Sequence, residues 1–171
     1  MTTEQDNKQT RSQFKLWMVV SLIIVIGDQL TKWAIVKWVP LYDRVPVNSF
    51  INLTHQKNTG AAFSFLADAG GWQRWFFIVL ATGVSAVIVV WIWRIRQAGQ
   101  SWLSAGLALV LGGAVGNLID RVLLGHVTDF IQVWFGNWAF PSFNVADAAI
   151  SVGAALLIID ALFFSGREQP Q

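Results

Sequence analysis

Four long apolar stretches constrain this chain more than any other feature. They cover about residues 14–39, 72–93, 102–124 and 141–164. About 20 apolar residues in a helix cross the hydrocarbon core of a bilayer. Backbone polar groups have no water to bond there, so each stretch is expected to cross as a helix. The expected fold is an all-α membrane protein with a single domain of four transmembrane helices over residues 1–171. Composition agrees: 54% of residues are hydrophobic and 13% are charged, about half the charged share of an ordinary soluble domain. A signal-peptide reading of the first stretch fails, because no small-x-small cleavage site follows and the apolar pattern resumes with WAIVKWV.

Between the spans the pattern changes. Residues 1–13 are polar and are expected to form a disordered tail, and 165–171 are a polar tail. Residues 40–71 contain VPVNSFINLTHQ, whose β-branched and aromatic residues predict one or two short strands. WRIRQAGQ is a short basic turn, and residues 125–140 are aromatic and broken by Gly125 and Gly136. The ten Trp fall mostly at span ends, where indole prefers the interface. Phe130, Trp134, Phe135, Trp138 and Phe140 read as an interfacial belt or as the floor of a lipid groove. Lys8, Arg11 and Lys15 precede or open span one, Arg94 and Arg96 lie in the basic turn, and Arg167 lies in the C-tail. The loops 40–71 and 125–140 hold only Arg44 and Lys57. Positive charge collects on the cytoplasmic side, so both termini are expected there and both long loops outside.

That topology brings polar residues from distant parts of the sequence to one outer face. Asp28 and Lys32 lie in the outward half of span one, Asn58 in the first loop, and Asn117, Asp120 and Arg121 near the outward end of span three. Asp129 follows, and Asn144 and Asp147 open span four. Ionisable groups in hydrocarbon cost about 2.5–3.5 kcal/mol each on insertion scales and mark function by default. Bland readings compete. Asp28 and Lys32 have i, i+4 spacing and suit a buried structural ion pair. Gly112, Gly113 and Gly116 suit close helix packing, and Asn117 and Asn144 suit interhelical hydrogen bonds. Arg121 either snorkels outward or orients a substrate carbonyl or a carboxylate. Asp160 reads as interfacial, and His55 and His126 are isolated.

Our reading is that Asp129 and Asp147 form a paired-carboxylate proteolytic site at a membrane surface. Two carboxylates at hydrogen-bonding distance share a proton, because both cannot ionise easily. One then takes a proton from water while the other protonates a peptide carbonyl, which is general acid–base hydrolysis. Two other readings stay open on residues alone. A small proton- or ion-coupled transporter needs polar groups through the bilayer depth, and only Asp160 lies near the opposite face. A non-catalytic membrane assembly factor would use the same groups for packing. Thiol catalysis, disulfides and Cys-ligated metals are excluded by the lack of cysteine. With two His and no HExxH, a zinc protease is not expected. A net charge of +2 gives no sign of a nucleic-acid partner.

At these residues the chain resembles the lipoprotein signal peptidases, the signal peptidase II family. The matching blocks are DQLTK (28–32), NTGAAFSF (58–65), GGAVGNLIDR (112–121), VTDF (127–130) and FNVAD (143–147). The resemblance implies an aspartic endopeptidase that removes signal peptides from prolipoproteins, just before a cysteine carrying diacylglycerol. It assigns catalysis to Asp129 and Asp147. It places Asn58, Gly60, Asn117, Arg121 and Asn144 near the substrate and makes Asp120 a supporting residue, which spacing does not decide. Asp28 and Lys32 match a motif important for structure or activity. It further implies a small extracytoplasmic β-cradle from the first loop, a short periplasmic helix near the second, and a place in the bacterial inner membrane. No metal or cofactor is implied. The expected partners are the prolipoprotein and membrane lipids, with the enzyme a monomer and one of its two long loops gating the site.

Overall fold

The computed structural model describes residues 2–60, 70–96 and 100–163, with the side chains of 2–10 outside that description. The second part of the NTGAAFSF block, part of the basic turn and the C-tail therefore lie outside the described residues.

Helix α1 spans Thr2–Trp38, α2 Trp72–Ile95, α3 Ser101–Leu123 and α4 Val145–Phe163. All four are long and apolar enough to cross a membrane. The expected disordered tail is helical from Thr2 onwards. Residues 2–13 contain no Gly or Pro and are rich in Gln, with Glu, Lys and Arg, so a helix nucleated in the span extends outward. Span four starts later than expected, at Val145, because Phe143 is bridged to Ile131 of the sheet and Asn144 caps the helix.

Helix α3 is the centre of the bundle. It packs on α4, α1 and α2 and buries ten of its residues, including Leu107, Leu111, Gly112, Gly113 and Gly116. The glycines make this possible. A Cβ at Gly113 would collide with the Ala146 carbonyl of α4, and one at Gly112 would lie 2.8 Å from the Ser21 carbonyl of α1. Small residues let backbones approach where no hydrophobic drive separates helix from lipid. The outer surfaces of α1, α2 and α4 leave large side chains such as Ile23, Val79 and Leu162 exposed, as a lipid-facing surface requires.

A four-stranded antiparallel sheet lies at one end of the bundle, in the order β1 (Arg44–Pro46), β2 (Ile51–Asn58), β3 (Val127–Phe135) and β4 (Trp138–Ala139). Of the one or two short strands expected in the first loop, two are found, β1 and β2. Residues 125–140 contribute the other two and hold no helix, so the short helix expected there is not found. The reason is local: VTDFIQVWF is β-branched and aromatic and pairs with β2 from Asn58↔Val127 to Ile51↔Val133. The fold is thus four helices plus a sheet, not all-α. A register irregularity between Leu53 and Gln56 bends β2, and beyond it Gln56 stands opposite Asp129. Phe130 anchors the sheet to the bundle by packing against Ile35 of α1 and Val39 just beyond it.

Candidate active site

Each polar residue reaches the junction of bundle and sheet for a local reason. Asn144 and Asp147 cap α4 reciprocally. The Asp147 backbone N–H donates to Asn144 Oδ1 at 2.9 Å, and the Asn144 backbone N–H donates to Asp147 Oδ2 at 3.3 Å. This is the logic of a capping box, and it fixes both side chains relative to the helix axis. Asn144 is therefore the cap of α4, and Asp147 lies in its first turn. Asp129 comes from β3, in a strand buried from Val127 to Phe130.

Three side-chain amides and one backbone N–H hold the two carboxylates. Asp129 accepts from Asn144 Nδ2 at 2.7 Å and from Asn58 Nδ2 at 2.9 Å. Asp147 accepts from Asn117 Nδ2 at 2.7 Å, besides the Asn144 backbone. Asn117 and Asn144 are themselves joined, Asn144 Nδ2 to Asn117 Oδ1 at 3.2 Å. Asp129 is 3% exposed, whereas Asp147 is only partly buried. Burial pushes the Asp129 carboxyl up to about 7, with the nearby Asp147 charge adding to it; the bonds from Asn58 and Asn144 pull the other way. Near neutral pH this pair is poised to hold one proton.

Beneath the pair lies a closed ionic cluster. Lys32 Nζ is 2.7 Å from Asp28 Oδ2 and 3.1 Å from Asp120 Oδ2, and it donates to Asn117 Oδ1 at 2.9 Å. The carboxylate oxygens also accept other donors. Asp28 Oδ1 accepts the Ala146 N–H, Asp120 Oδ2 accepts the Thr128 N–H, and Asp120 Oδ1 accepts from Gln29 Nε2. The ion pair expected for Asp28 and Lys32 is present, and Asp120 completes it. Gln29 was not singled out by the sequence reading. An amide in an apolar span was the available signal, since it costs free energy unless bonded.

Arg121 does not snorkel. Its Nη2 donates to the Gly60 carbonyl at 2.7 Å, its Nη1 to the Asn117 carbonyl at 3.4 Å, and its guanidinium lies 4.9 Å from the Phe77 ring. Gly60 is held in turn by its own N–H donating to Asn58 Oδ1. The two histidines take no part: His55 and His126 bond the Val39 and Leu124 carbonyls. Asp160 lies 13 residues beyond Asp147, about 20 Å along α4.

Four membrane-length helices, a sheet at one end and two amide-cradled carboxylates at their junction define a membrane protein built around a buried carboxylate pair. Sequence comparison is specific. The profile of signal peptidase (SPase) II matches residues 20–163. The lipoprotein signal peptidase of Teredinibacter turnerae is 50% identical over 148 residues, covering 86% of this chain and 87% of that one. That of Pseudomonas syringae pv. tomato is 52% identical over 146 residues, 84% of each. A bacterial membrane enzyme solved by the in meso method at 2.3 Å superposes with a TM-score of 0.80 at 30% identity, covering 92% of this chain and 94% of that one. The chain belongs to the signal peptidase II family.

Proposed function

We propose that this chain is a lipoprotein signal peptidase of aspartic type, with Asp129 and Asp147 as its catalytic pair. The substrate is a prolipoprotein bearing diacylglyceryl-cysteine, cut just before that residue. One carboxylate takes a proton from water and the other protonates the scissile carbonyl, with no covalent intermediate. The carrying observation is the cradle itself: two carboxylates close enough for one charge to raise the other's pKa, held only by neutral donors. The transporter reading has no support in family membership, and the buried carboxylates among the described residues gather at one end of the bundle. The assembly-factor reading leaves a raised carboxyl without a purpose.

Asn58, Gly60, Asn117, Arg121 and Asn144 form the cleft around the pair. Asp28, Lys32 and Asp120 support it from below. The lipid anchor of the substrate stays in the bilayer, which confines the scissile bond to the depth of the pair and lowers the barrier by positioning. The distribution of Lys and Arg supports cytoplasmic termini and a periplasmic site in the bacterial inner membrane. The enzyme works as a monomer among membrane lipids, with the prolipoprotein as its substrate.

The test is cleavage of a diacylglyceryl-modified prolipoprotein by purified wild type, Asp129→Asn and Asp147→Asn, with thermal melts to verify folding. Both folded variants are expected to lose activity by about 10²–10⁴-fold, the usual worth of a positioned acid or base. Near-normal turnover in either one overturns the assignment.

A further inference from the structure

The paired carboxylates are not equivalent, and the asymmetry begins outside the pair. Asn117 Oδ1 receives two donors, Lys32 Nζ and Asn144 Nδ2. Turning this amide over would set its NH2 against an ammonium and another NH2, and its oxygen against a carboxylate. Its NH2 therefore stays on Asp147. Asn144 is locked similarly, because its oxygen is held by the Asp147 N–H of the helix cap.

Three further features separate the two acids. Asp147 stands in the first turn of α4, where the helix dipole and a backbone N–H favour an anion. Asp129 sits in a strand and accepts from side-chain amides, those of Asn58 and Asn144. Asp147 is also the more exposed of the two, so water reaches it, while Asp129 is nearly sealed. The charged groups facing the pair are Lys32 and Asp28 from α1 and Asp120 and Arg121 from α3; β2 contributes the neutral Asn58.

We infer that Lys32, acting through Asn117, is a positioning residue that sets the polarity of the pair: Asp147 is the ionised, water-activating base and Asp129 carries the proton. This inference rests on the catalytic pair proposed above and deepens it. Hydrolysis then runs in a defined order. Asp147 takes a proton from water, the hydroxide oxygen bonds to the scissile carbonyl carbon, and Asp129 gives its proton to the carbonyl oxygen. The resulting diol collapses as the C–N bond breaks. Asp147 returns its proton to the leaving nitrogen, and a diol hydroxyl returns one to Asp129, restoring both groups and releasing an acid and an amine.

The test reads protonation directly. In the infrared spectrum of the purified full-length protein near pH 6, the protonated-carboxyl band is expected to vanish in Asp129→Asn and persist in Asp147→Asn. A band that survives in Asp129→Asn, or vanishes in Asp147→Asn, overturns the assignment. The role of Lys32 is tested with Lys32→Met/Asp120→Asn and Lys32→Met/Asp28→Asn, each of which keeps the cluster at one net negative charge. Either one, if folded, is expected to lose at least tenfold in kcat with KM changed less than threefold. Wild-type kcat in a folded double variant overturns that role. Asn117→Leu removes the link to Asp147 but keeps both ion pairs of Lys32, and it carries the same test if neither double variant folds. Its carboxyl band is expected to titrate out at a higher pH than in wild type, and an unmoved titration overturns the inference. Failure of the pair itself looks different: Asp129→Asn or Asp147→Asn would then cleave substrate normally, whatever the infrared bands show.

Discussion

This molecule contains two pairs of carboxylates in adjacent layers, and they are treated in opposite ways. Asp28 and Asp120 share an ammonium, and their oxygens are met by backbone N–H groups and Gln29. Asp129 and Asp147 receive only neutral amides and a backbone N–H, with one member left partly open. A buried charge that is paired and fully bonded stays where it is and holds helices together. A buried carboxylate facing another with no cation between them keeps its proton to a much higher pH. The difference teaches that residue type does not separate structural from chemical acids here; the counter-ion does. Asn117 links the layers, accepting from Lys32 and donating to Asp147.

Experiments that break the contrast differ in size. The largest effect is expected from Asp129→Asn and Asp147→Asn, a loss of about 10²–10⁴-fold in cleavage with little change in melting. Removing the cation of the lower layer by Lys32→Met leaves two unpaired buried carboxylates. Loss of a buried partner costs about 3–5 kcal/mol, so a melt in detergent is expected to show a large destabilisation. If Lys32→Met melts like wild type, the lower layer is not the structural one.

A third experiment follows pH. Asp129 ionises near 7 in the folded protein, so turnover that needs its proton is expected to fall about tenfold per unit above that value, and to recover on acidification. Because its folded pKa lies above the ordinary 3.8, its stabilising contribution is complete at low pH and is lost as pH rises to about 7. The melting temperature is expected to show that decline, and Asp129→Asn to flatten it. The smallest effect is expected from Ser21→Ala. This change removes the hydroxyl donated to the Ala108 carbonyl, far from both layers. Interhelical hydrogen bonds in membranes average about 0.6 kcal/mol, so melting is expected to drop slightly with activity intact.

Much of this protein was legible without coordinates. Length and apolarity determined four spans, because an apolar run of about 20 residues crosses a bilayer as a helix that satisfies its own backbone. The i, i+4 spacing of Asp28 and Lys32 determined their ion pair, and the glycines of α3 marked its packing surface, as the Ser21 and Ala146 carbonyls lying against it show. Local signals were weaker elsewhere. The helical start at Thr2 was masked by polar residues that suit either helix or solvent. The strand Val127–Phe135 was masked by aromatic residues that suit either an interface or a sheet.

Three matters were decided only by tertiary structure. Asp120 joins Lys32 rather than the upper pair, because α1 packs on the glycines of α3 and brings the ammonium to it. Arg121 turns inward to Gly60 instead of outward, because the first loop returns along β2 to meet it. Asn117 and Asn144 present NH2 groups to the acids, because the donors around their oxygens leave no other orientation. The physical reason is common to all three. Periodicity reports which face of a helix a residue occupies, whereas the charge and hydrogen bonding of a buried acid depend on what the other chain segments place opposite it.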